Sequence, residues 1–428
     1  MRMRFAFLCF VSVFFIACTT KPGVTRNADN ATVISDFGMH TPGGLGGQIL
    51  KVTNLNPSGE GSLAWALAEP GPRVVVFEVG GVINLAGINI DILEPFLTVA
   101  GQTAPSPGIT LIRGGLSIRT HDVRIEHLRV RPGANDNPAQ IGWDTDAIGI
   151  SRKEARDIHI NQCSVSWAVD ENMAASGERY KGPEATSGRI TFSYSIIAEA
   201  LDYASHKKGK HSKGLLVHDF VQEVAVIGNL FAHNDRRNPY FKAHASGIVA
   251  NNLMYNLGNA AVQLGYIADE WADSEIAPAN PQVAVVGNHL IYGRDTYSDL
   301  PLVAYQGDAY LADNRVDNLD GDPMAQVHGD VRLLQRPPLW IAGYEPLPVA
   351  GVKEHVLNRA GARPWDRDAI DQRIIASVRE RSGRIIDSEA DVGGYPQELP
   401  ASYRALDVPT HAAAQEAWLL SFIPEAYR

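Results

Sequence analysis

The sequence predicts an all-β fold, a parallel β-helix wound as a solenoid, and three observations carry the prediction. Short apolar-alternating runs recur at Val123–Leu128, Ile158–Cys163, Ile190–Ser195, Val224–Asn229, Gly247–Asn252, Val283–Asn288 and Ala309–Asn314. Each alternates over five or six residues rich in Val and Ile, the two-residue period of a strand. Their starts are 35, 32, 34, 23, 36 and 26 residues apart, which gives a coil of about 23 residues with loops inserted in the longer ones. Asn229, Asn252, Asn288 and Asn314 fall at one phase of the repeat, where stacked amides can hydrogen-bond from coil to coil. A sandwich or barrel also has many short strands, but the two-residue Asn-Gly and Asp-Gly turns that its hairpins need are scarce here.

In chain order, residues 1–18 read as an export signal. Arg2 and Arg4 precede an apolar run from Phe5 to Ala17, too short to span a bilayer as a stable helix. Phe15-Ile16-Ala17-Cys18 resembles a bacterial lipobox, which would make Cys18 the acylated first residue of a chain anchored to the outer membrane, on its periplasmic or cell-surface face. An ordinary secretory signal cut near this point is the other reading. Residues 19–36 are polar and without periodicity, as expected of a tether. Residues 37–345 hold the β-helix and 346–428 a helical and loop extension packed on it. Ser62 caps a short helix that ends before Pro70 and covers the N-terminal end of the solenoid. Asp366 caps a second helix running to about Arg381, with Ile370, Ile374, Ile375 and Val378 on one face, Gly383 as its stop and its charges on a solvated outer face. With Cys9 in the signal and Cys18 acylated, Cys163 stands alone and no intrachain disulfide is possible in the mature domain. A net charge of −10 speaks against a nucleic-acid binder.

Two segments carry chemistry. Asp144-Thr145-Asp146 places two carboxylates that would share one face of a strand, where they can hold a hard cation; about 90 residues later Asp235-Arg-Arg-Asn-Pro-Tyr-Phe-Lys242 gathers cations suited to an anionic polymer. His206-Lys-Lys-Gly-Lys-His211 is unusually basic and reads either as a rim for a polyanion or as a solvated loop. Its histidines do not make a zinc site on spacing alone, since no acidic partner is fixed beside them. Tyr240, Phe241, Tyr255 and Tyr266 serve either as platforms for sugar rings or as core.

Gly43-Gly-Leu-Gly-Gly47 with Gly61-Ser-Leu63, Leu97–Thr103, Asp144-Thr-Asp146, Ser164–Asp170 and Arg237–Lys242, in this order between Thr41 and Asn314, resemble polysaccharide lyase family 1, the pectate lyases, in a divergent branch. The resemblance implies a right-handed β-helix, Ca2+ as the only cofactor, and Asp144, Asp146 and Asp170 as its ligands. It also implies Arg237 as the base that takes the C5 proton of a galacturonosyl unit, with Lys213 and Lys242 binding substrate and stabilising the enolate-like intermediate. Three departures mark the branch: Ser166 stands where a fourth carboxylate is usual, Lys242 replaces an arginine and loses its bidentate fork, and His159-Ile-Asn-Gln162 replaces a Trp-Ile-Asp-His segment.

The expected activity is therefore calcium-assisted β-elimination of pectate or pectin, an acidic α-1,4-galacturonan, by a monomer that touches membrane only through its lipid. Two rivals fit the same fold: a glycoside hydrolase using paired carboxylates and water, and a non-catalytic glycan-binding surface lipoprotein.

Overall fold

The computed structural model describes residues 32–397 and 401–428, so the signal, Cys18 and most of the tether lie outside the described residues. What is described is a parallel β-helix. One face stacks Val79–Asn84, Ile109–Ile112, Leu128–Arg131, Ser164–Ser166, Ile196–Ala198, Leu230–Ala232, Leu253–Tyr255, His289–Ile291 and Arg315–Asp317 in that order. A second runs from Gln48–Val52 through Val123–Glu126, Arg156–Asn161, Gly188–Ser193, Gln222–Ile227 and Ser246–Ala250 to Gln282–Val286. The third carries Ile148–Ile150, Glu171–Ala175, Lys213–Val217, Tyr240–Phe241 and Val262–Leu264, again in parallel register. Inward-pointing Val, Ile, Leu and Phe from all three faces fill one continuous core.

Asn229, Asn252, Asn288 and Asn314 form the expected ladder. Each Oδ1 of the last three accepts from both the backbone N–H and the side-chain amide of the preceding asparagine, at 2.9–3.1 Å. Ser195 and Cys163 continue the line one coil at a time, because the Asn229 Oδ1 accepts from the Ser195 N–H and the Ser195 Oγ from the Cys163 N–H. The turn interior is thus satisfied without water, which a buried backbone needs.

Ser62 caps the helix Leu63–Ala68 as expected, its Oγ accepting from the Trp65 N–H. The other expectations shift. The C-terminal helix is Ala369–Glu380, capped by Asp368 rather than Asp366, and Arg381 rather than Gly383 turns into the left-handed region to end it. A further helix, Val349–Arg359, precedes it. Both pack on the outside of the first face, against Ile196, Leu230, Leu253, Tyr255 and Ile291. The charges of the capped helix are not all solvated, because Arg129 and Arg131 point out of the β-helix beneath it: Arg131 meets Asp368 and Asp371, and Arg129 donates to Asp371 at 3.4 Å. The predicted tether is ordered at its end, since Val33–Ser35 pairs in parallel with Leu339–Ile341. Ser402–Tyr403 then pairs antiparallel with Val79–Gly80, and the Gln415 amide bonds Gly46 and Gly47, so the extension runs back to the first coils.

Candidate active site

The candidate residues converge at the N-terminal ends of successive strands of the third face. Ile148 pairs with Met173, Glu171 with Lys213 and Leu216 with Tyr240, and a bridge joins Lys213 to Arg236. Asp146, Asp170 with Glu171, Lys213 and Arg237 therefore stand on neighbouring coils, about 4.8 Å apart per step. Asp144 and Asp146 lie in the loop running into Ile148–Ile150, not on a strand, so strand alternation is not what places them. Gly214 permits the close approach of the next coil: a Cβ there would stand 2.7 Å from the Arg237 carbonyl oxygen.

Oxygen atoms of Asp146, Asp170 and Glu171 lie within 4.8 Å of one another. The set is hard and oxygen-only, which suits calcium, and Asp144 stands at its exposed edge. Burial and then the Asp170 charge push the Asp146 carboxyl well above its ordinary range, against the pull of Arg237. Crowded like charges of this kind are what a divalent cation relieves. Asp170 goes the other way. Burial would raise its carboxyl, but a 2.7 Å hydrogen bond from His211, the charges of His211 and His206, and Arg237 together hold it below the usual value.

His206 and His211 are buried and stacked face to face at 3.7 Å, and the His206 Nε2 is 3.7 Å from Asp144. Here the sequence expectation needs correction, since acidic partners do stand beside these histidines. Zinc still does not follow. The His206 Nδ1 accepts from the Lys208 N–H, which leaves the proton on Nε2 and aims an N–H, not a lone pair, at the carboxylates. His211 is better read as the donor that orients Asp170, with the His206 ring stacked on it. Lys207, Lys208 and Lys210 of the same loop are exposed and form its rim.

Arg237 is half-buried in the left-handed region at φ 62°, its guanidinium paired with the buried Glu171 carboxylate and 5.8 Å above the Tyr240 ring. Burial lowers its pKa, opposed by Asp170, Tyr240, Asp146 and Glu270. Lys213 is buried at the same place, and desolvation with the neighbouring Arg236 brings its amine down to about 8. Lys242 is drawn into a different cluster. Its Nζ donates to Glu270 at 2.6 Å and lies 3.5 Å from the buried Asp219, while Arg179 contacts the same two acids. Two cations and two carboxylates meet there, so Lys242 is shared with Asp219 and Glu270.

Of the four aromatics, Phe241 is core, and Tyr255 is buried under the C-terminal helix with its hydroxyl donating to the Ser382 carbonyl. Tyr240 is buried beside Arg237, and the Tyr266 hydroxyl accepts from Gln306. Packing, not sugar stacking, accounts for Phe241 and Tyr255. The sequence did not point to Glu171, and it offered His206 and His211 only as part of a basic rim: the partner comes from 66 residues away for Glu171 and 41 for His211, with no spacing signal in the chain.

No family model matches the chain. It is 31% identical over 370 residues to probable pectate lyase C of Aspergillus flavus, covering 84% of this chain and 79% of that protein. To probable pectate lyase C of Aspergillus fumigatus it is 30% identical over 393 residues, covering 89% and 84%. Among solved structures, jun a 1, the major allergen from cedar pollen, matches with a TM-score of 0.56 at 18% identity over 76% of this chain and 92% of that one. The thermostable pectate lyase PL 47 matches at 0.50, with 14% identity over 77% and 94%. These two likenesses bear on the fold, which is the same β-helix; the sequence relatives, similar over most of both chains, show that the chain belongs to the pectate lyase family.

Proposed function

We propose that this chain is a polysaccharide lyase that cleaves α-1,4-galacturonan by β-elimination, leaving a 4,5-unsaturated sugar at the new end. The observation that carries the reading is the position of a partly desolvated arginine, Arg237, on the coils next to a hard carboxylate cluster, Asp146, Asp170 and Glu171, with Asp144 at its edge. Calcium held by Asp144, Asp146 and Asp170 would neutralise a uronate carboxylate and acidify the proton on the adjacent carbon.

The chain's own groups supply the rest. Arg237 stands above the cluster to take the C5 proton, and burial shifts it toward the neutral form that a base requires. Lys213, held on the adjacent coil, offers a short-range positive charge to the oxyanion that forms as the proton leaves. His211 fixes the Asp170 oxygen so that the cluster does not reorganise during turnover. Lys242, closed in with Asp219 and Glu270, supports the wall of the groove rather than the reacting atoms. Turnover of polygalacturonate should vanish when metal is stripped by chelator and return with added calcium alone; full activity in chelator would end the metal reading.

We further infer that the chain is exported and held by lipid at Cys18, and that it acts as a monomer on polymer outside the cytoplasm. The support is the charged and then apolar opening followed by Ile16-Ala17-Cys18. Cys18→Ser should move the protein from membrane to soluble fractions, and a variant that stays in washed membranes would overturn the anchor.

A further inference from the structure

Position 166 poses the question. It holds a serine with 1% exposure whose hydroxyl has no hydrogen-bond partner among the described residues, so it brings no charge to the metal cluster. On the reading proposed above, the cluster is one carboxylate short at that point. We propose that Glu171 supplies it: the Glu171 carboxylate, which pairs with Arg237 through one oxygen, is also a calcium ligand.

Three observations support this. A cation bound to oxygens at about 2.3–2.6 Å can touch two ligands no more than about 5 Å apart, and the oxygens of Glu171, Asp146 and Asp170 lie within 4.8 Å of one another. The register puts Glu171 in the right column, since Ile148 pairs with Met173 and the residues two before each, Asp146 and Glu171, are neighbours on adjacent coils. The backbone agrees, because the Glu171 N–H already donates to the Asp146 Oδ1 at 3.0 Å. Of the two Glu171 oxygens only Oε1 is engaged, by the Arg237 guanidinium. The second oxygen has no hydrogen bond among the described residues.

Isothermal titration of calcium chloride into the metal-stripped protein tests this without reference to turnover. Asp146→Ala reports on the site itself. If wild type takes up no calcium, or Asp146→Ala binds as wild type does, the calcium reading fails and this proposal fails with it. If Asp146→Ala loses binding, Glu171→Gln should weaken calcium tenfold or more, whereas Arg237→Gln should tighten it severalfold by freeing Glu171. A purely structural ion pair predicts no such opposition between the two variants. Because Glu171→Gln leaves a half-buried guanidinium unpaired and can misfold, the double variant Glu171→Gln/Arg237→Gln is compared with Arg237→Gln alone. A tenfold weaker affinity in the double variant supports the proposal, and equal affinities overturn it.

Discussion

Arg237 shows how much of this site depends on one backbone conformation. A non-glycine residue at φ 62° costs about 1 kcal/mol or more, and from that position its guanidinium pairs with the buried Glu171 carboxylate. Arg237→Lys keeps the charge but moves the nitrogen and removes the planar fork. Turnover should fall by orders of magnitude while binding of polygalacturonate stays nearly unchanged, the pattern of a group used mainly in the transition state; near-normal turnover in the variant would remove Arg237 from the mechanism. Arg237 and the three aspartates could be singled out because they sit in ordered motifs, and Lys213 only by its match to the family's lysine. Glu171 and His211 could not, since each acquires its role from a partner on another coil. Lys242 was legible as a cation but its partners were not, because Arg179 and Glu270 reach it from inserted loops.

At the scale of elements, the C-terminal helix and the segment leading into it are held by buried charges and by neutral histidines. Arg129 and Arg131 bind Asp371 and Asp368; the His233 ring meets the Ser377 hydroxyl at 2.8 Å, and the His127 Nδ1 accepts from the Arg363 N–H. Burial brings both histidines down to about 4, with Glu126 opposing at His127 and Glu199 at His233. Their folded values lie below the ordinary 6.5, so their contribution is whole above pH 6.5 and is lost as pH falls toward 4, by up to about 3 kcal/mol each. Asp368 adds to the same trend. Burial opposes its charge, but Arg131 and Arg129 outweigh it and depress the carboxyl, so its support is present above the ordinary carboxylate value and fades in stronger acid. Thermal melts should therefore show Tm falling between pH 6.5 and 4, and His233→Gln should flatten part of that slope; a Tm level across this range would contradict the account. The sequence reading put these charges on a solvated face because the 3.6-residue pattern reports which helix face is apolar and says nothing about arginines rising from the sheet below.

For the whole molecule, the solenoid was legible because a coil must return its apolar residues in phase, and the asparagine ladder repeats with it. The path of the extension was not. Ser402 bonds to Gly80 across 322 residues, and Gln415 reaches Gly46 across 369, contacts that leave no periodic trace. The result is a rigid β-helix braced along one face, with its third face left to carry charged strand ends and the loops around them. That architecture also suits a hydrolase, so the chemistry of the cut separates the readings. Polygalacturonate should be incubated with the full-length protein and calcium while absorbance is followed in the ultraviolet band of a 4,5-unsaturated uronate. The account predicts that absorbance rises in step with new chain ends; new reducing ends without any rise in absorbance would contradict it.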